Sequence, residues 1–190
     1  MPFFSAPKLT DDEALRSYAR VLVRSGLFDE ATCVREVAVA AREDAGRDDA
    51  DEVARSLVTE AREGLDADAQ VWPERTDYDA LQEALGGLER RGYAVLQGAE
   101  DHWAAARVVR EAPGRLRGVV WFTPSDVWHA VEHGMLEVNV WHADSANIAD
   151  GDPLCAEVTE ALQAVGLPAR FDEGRIEVTA RWHRRVPDPA

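Results

Sequence analysis

The chain has 190 residues and a mass of 21.0 kDa, with 46% apolar and 30% charged side chains. A globular chain this long buries about 70% of its unfolded surface, and the composition excludes a disordered one. Acidic side chains number 36 against 21 basic ones, a net charge of −15 with neutral His, which repels nucleic-acid phosphates and anionic membranes.

No apolar run approaches the ~18 residues that span a bilayer, and the opening MPFFSAPKLT lacks the pattern of a secretion signal. Cys33 and Cys155 form no C-x-x-C motif, so they predict free, buried thiols in a reducing cytoplasm.

Residues 11–71 read as helix. Thr10 and Glu13 make a capping box, and Leu15, Tyr18, Ala19, Leu22 and Val23 recur at helical spacing up to the stop at Gly26. Asp29 suits the next start, followed by the apolar face Val34, Val37, Ala38 and Ala41. Asp48 and Asp49 open a third helix with Val53, Leu57, Val58 and Ala61 inward. A fourth begins at Thr76 and runs through Leu81, Leu85 and Leu88 to Gly92.

The pattern then changes to short strands alternating with helices. Strands are predicted at Tyr93–Gln97, Gly118–Phe122, Leu136–His142, Ala169–Asp172 and Arg175–Trp182, with helices at 100–112, 124–133 and 153–166. Asp172-Glu173-Gly174 links the last two strands as a hairpin. The expected fold is α/β (α+β): a helical N-terminal subdomain, 1–75, packed on a mixed sheet of about five strands in 76–190. Right-handed crossovers added without reversal would set the helices on one sheet face. The other face is then solvated or covered by the N-terminal helices, and it reads as polar in the last strands, with Trp141 on it.

Three ordered blocks carry a resemblance. The first is Trp72, Thr76-Asp77, Asp79 and Leu81. The second is Phe122, Asp126, Ala130-Val131-Glu132, Gly134 and Leu136. The third runs from Glu157-Val158 to Gly166-Leu167 and closes on Trp182-His183-Arg184-Arg185. Together they resemble a mainly actinobacterial family described only as a domain of unknown function. The resemblance implies a bacterial cytoplasmic protein with no assigned chemistry. Members of that family often carry a cysteine cluster after the first strand. This chain has Gln97-Gly98-Ala99-Glu100-Asp101-His102-Trp103 there, with no Cys.

Few constellations carry chemistry. His129-Ala130-Val131-Glu132-His133 fits H-x-x-E-H, with Asp126, His129, Glu132 and His133 on one helical face as candidate metal ligands. Strand ends are where α/β sheets place ligands, which marks Thr123, Asp126, His129, Trp141, His142 and Asp144 as the candidate cleft. The capping role of Asp126 toward Thr123 is the bland alternative. No Gly-rich phosphate loop or nucleophile elbow is present, and no cofactor is expected. The reading is a non-catalytic binding or regulatory module whose acidic surface meets a protein partner. Its alternatives are a metal-assisted hydrolase built on His129, His133 and His142, and an acidic nucleic-acid mimic.

Overall fold

Side-chain caps start the first two helices. The computed structural model describes residues 9–186 and divides into two units, one ending at Val71 and one beginning at Trp72. In the first unit, α1 (Asp11–Ser25), α2 (Glu30–Glu43) and α3 (Ala50–Ala69) follow one another. The Glu13 carboxylate accepts the Thr10 N–H at 2.8 Å, while Thr10 Oγ1 accepts the Glu13 N–H at 3.3 Å. Gly26, at φ 61°, ends α1 in the left-handed region that favours glycine. Asp29 caps α2 by accepting the Thr32 N–H at 2.8 Å. Asp49 precedes α3 without capping it, because Arg47 Nε and Nη2 hold its carboxylate at 2.8 and 2.9 Å.

The interior of this unit is small. Ala19, Ala38, Ala41, Ala50 and Ala54 are buried alongside Leu22, Val37, Val58 and Leu65. Alanine lets helices approach closely, and α3 packs on both α1 and α2. Exposed ion pairs stitch the outside: Arg16 to Glu60, Arg24 to Asp68, and Arg42 to Asp51. Such pairs contribute about 0.2–1 kcal/mol each at most, so the apolar seams carry the unit.

The second unit begins with α4 (Asp77–Arg90) and β1 (Tyr93–Gln97). It continues through α5 (His102–Glu111), β2 (Gly118–Phe122), α6 (Pro124–His133), β3 (Met135–His142), α7 (Pro153–Ala164), β4 (Ala169–Asp172) and β5 (Arg175–Thr179). The strands form one mixed sheet in the order β1-β2-β3-β5-β4, in which only β1 and β2 are parallel.

Helices lie on both faces of the sheet, which departs from the one-faced expectation. Every residue of β2 is buried, so each face needs a cover. Val119 and Trp121 pack with Ala105 and Val109 of α5. The opposite face carries Tyr93, whose hydroxyl donates to Glu157 of α7 at 2.9 Å. Gly118 lies on this second face too. A Cβ there would meet Leu154 Cδ2 at 3.0 Å and the Trp141 carbonyl oxygen at 2.6 Å, so the close packing requires glycine.

Beyond α5, the first face turns polar over β3, β5 and β4, as the alternation predicts. Arg170 pairs with Glu177, Arg175 pairs with Glu137, and Trp141 leans edge-on against Trp121 at 5.3 Å.

The last strand stops earlier than its alternation suggests. The ladder ends at Thr179, and the chain turns away as a strap. The Ala180 N–H donates to the Gly134 carbonyl at 2.9 Å, and the Arg181 N–H to Asp77 Oδ2 at 2.9 Å. Trp182 packs between Phe122 and Tyr78, with ring centroids 6.0 and 5.0 Å away. His183 stacks on Trp72 at 4.6 Å, and Arg185 Nη2 donates to the Pro73 carbonyl at 2.7 Å. Alternation thus persists past the ladder because Ala180 and Trp182 stay buried against other partners.

Candidate functional site

Strand direction decides which of the sequence-derived site residues meet. In the antiparallel β2–β3 pair, His142 sits opposite Gly118 and Asn139 opposite Trp121. The end of β3 therefore lies beside the start of β2. Thr123, Asp126 and His129 follow the far end of β2, about 13 Å along the strand at 3.3 Å per residue. The structure does not bring Thr123, Asp126 and His129 together with Trp141, His142 and Asp144.

Each group has local work. Thr123 Oγ1 accepts the Asp126 N–H at 3.4 Å, and Asp126 Oδ2 accepts the Thr123 N–H and hydroxyl, both at 2.7 Å. This box starts α6, with Pro124 in its first turn. At the other end, His142 Nε2 lies 2.5 Å from Asp152 Oδ2, and Asp152 Oδ1 accepts the Leu154 N–H at 2.9 Å to cap α7. That backbone hydrogen bond is the main cause holding the Asp152 carboxyl below its ordinary value, with His142 adding to it. Asp144 Oδ1 accepts the Ala146 N–H at 3.0 Å and shapes the loop.

His129 and His133 are exposed on α6, with ring centroids 4.7 Å apart. Glu132 lies 3.9 Å from His133 Nε2. Among the described residues, no group of three or more His, Cys, Asp or Glu side chains is placed to hold a metal ion. The segment 97–103 fits this picture. There Asp101 caps α5 by accepting the Ala104 N–H at 3.0 Å, and Ala99 is buried.

One polar cluster escaped the sequence reading. Glu157, with 18% of its side chain exposed, accepts from the Tyr93 hydroxyl and pairs with Arg117 at 2.6 Å. Burial and then the Glu157 carboxylate push the Tyr93 phenol up to about 12. The cluster ties α7 to the sheet. The two residues lie 64 positions apart, and no short motif links them.

The helical unit also holds a concave surface. A groove of about 390 Å³ runs between α1 and α2. Ala14, Leu15, Tyr18, Val39 and Ala40 line it together with the carboxylates of Asp11, Glu36, Glu43 and Asp44. Val39 is 40% exposed, although it is flanked in sequence by buried Ala38. Glu36 has Arg35 at 3.6 Å, but Asp11, Glu43 and Asp44 make no ion pair among the described residues. Burial and then Glu36 raise the Tyr18 phenol above its ordinary value. The groove offers apolar area and negative charge. The one available sequence signal was Val39, an apolar residue off the main stripe between Glu36 and Glu43.

No curated protein and no solved structure matches this chain. A family model does, over residues 9–186, which takes in the three helices of the first unit as well as the whole sheet. The chain belongs to the family described as a domain of unknown function, DUF6891.

Proposed function

We propose that this chain is a non-catalytic cytoplasmic binding module that meets a basic protein partner through the acidic surface of its helical unit. One observation carries the reading: the α1/α2 groove combines apolar side chains with four carboxylates, of which Asp11, Glu43 and Asp44 make no ion pair among the described residues. Desolvating such carboxylates is unfavourable unless a partner supplies positive charge, and complementary charge also speeds encounter. The free, buried Cys33 and Cys155 support a reducing compartment. Burial pushes the Cys33 thiol up to about 11, away from reactive thiolate chemistry. The negative charge is shared between the units, with 16 acidic and 9 basic side chains up to Val71 (net −7) and 20 and 12 beyond it (net −8). A nucleic-acid mimic calls for concentration on one face.

The test is capture of bound proteins from cells that make this chain, in parallel with a Glu36→Lys/Glu43→Lys variant. The expected result is a basic protein that is released by added salt and missing from the variant. Identical captures from both proteins would overturn the reading.

A further inference from the structure

The periodicity of the groove defines the shape that fits it, an argument that rests on the proposed function and adds the partner's form. From α1 the groove receives Asp11, Ala14, Leu15 and Tyr18; from α2 it receives Glu36, Val39, Ala40 and Glu43. Both sets follow i, i+3, i+4, i+7, the stripe that one helix presents to another. Since α3 packs on both α1 and α2, three members of a four-helix arrangement are in place. Among the described residues, the groove is the open side of that arrangement.

A strand would need a row of free backbone N–H and C=O groups, and the interiors of α1 and α2 have spent theirs on their own helices. A helix needs side-chain seams, which the groove supplies. Ala14 and Ala40 are small, so a fourth axis can approach to about 8–10 Å. The carboxylates require Arg or Lys on both flanks of the incoming seam. A second copy of this chain would bring its own −15 against the same carboxylates, which disfavours self-association.

We infer that the α1/α2 groove takes a basic amphipathic helix of a protein partner, seated as the fourth member of a bundle with α1, α2 and α3.

The test uses the full chain and a labelled peptide of about 18 residues, roughly five turns. Its seam is Ala and Leu at a and d positions, with Arg on both flanks. A second peptide has the same composition in an order that destroys the seam. Fluorescence anisotropy measures binding, and circular dichroism reads helix gain. The seam-bearing peptide should bind at least about tenfold more tightly than its isomer and become helical on binding. Val39→Arg, at an exposed position, should weaken it by about tenfold or more with the melting temperature unchanged. Equal binding of both peptides would overturn the helical seat and leave the charge-based proposal standing. Absence of binding by either would overturn the helical seat as well. A dimer in sedimentation that Val39→Arg dissociates would give the groove to a second copy and overturn the inference.

Discussion

All six tryptophans of the chain lie at or beyond Trp72, in the sheet unit, whereas the helical unit closes on alanine. The indoles reach across layers: Trp182 touches both Phe122 and Tyr78, and Trp121 meets Trp141. Polar anchors such as Tyr93–Glu157 and His142–Asp152 then fix the helices to the sheet. The helical unit packs its small residues inward and leaves Val39 and Ala40 in a second, outward stripe. The sheet unit buries most of its large side chains, although Trp103 stays 64% exposed. The helical unit retains an apolar stripe lined by carboxylates, which is where the proposed partner would sit.

This contrast is sharpest where large side chains are removed. Phe122→Ala should cost about 3–5 kcal/mol, because the ring is fully buried against Trp182. Tryptophan fluorescence during urea unfolding reads the sheet unit directly, since it holds every Trp. A midpoint within error of the parent's would break the claim that indoles and phenyl rings close this unit. The mirror experiment adds volume to the helical unit. Ala54→Leu, at a position with no exposure, should overpack α3 and cost about 1–3 kcal/mol, read as loss of helical dichroism on heating. A neutral result would mean that the helices are not in alanine-limited contact.

Alkali tests one polar anchor of the sheet unit. The Tyr93 phenol is raised from 10.0 to about 12, by burial first and by Glu157 second. A raised folded value favours the neutral phenol. Its contribution to stability is complete below about pH 10 and is lost as the pH rises through about 12. Tryptophan-detected stability should therefore fall across that window, and Tyr93→Phe should make the fall shallower. An unchanged slope in Tyr93→Phe would show that the hydroxyl is not the titrating anchor. The smallest effect is expected at the groove itself. Val39→Arg should leave stability within about 0.5 kcal/mol of the parent, measured by urea melts. A large loss would mean that the stripe belongs to the unit's own core.

The sequence made the elements legible because their signals are local. Thr10-Glu13, Thr76-Asp79 and Thr123-Asp126 announce helix starts, and each forms the reciprocal box that its spacing implies. The apolar run of Gly118–Phe122 announces a strand, and its burial on both faces is what the one-faced expectation missed. Strand direction was not legible, because alternation reads the same in either sense. The candidate cleft depended on direction, so Thr123 and His142 fall at opposite ends of β2. The strap beyond Thr179 was hidden for a related reason: buried Ala180 and Trp182 keep the alternating pattern although no strand pairs with them. The groove was masked by its carboxylates, since Glu36 and Glu43 make the outer face of α2 read as solvated.

The stack of His183 on Trp72 joins the two ends of the sheet unit. During synthesis, Trp72 emerges 111 residues before the ring that covers it. The helical unit, whose contacts close within the first 71 residues, can be complete while Trp72, Tyr78 and Phe122 still await Trp182 and His183. Domains fold in the order in which they leave the ribosome, and transiently exposed apolar surface is where aggregation begins. A stall or premature stop ahead of Trp182 would therefore release a molecule with finished helices and an unsealed sheet. Closure of the sheet unit thus waits on the strap.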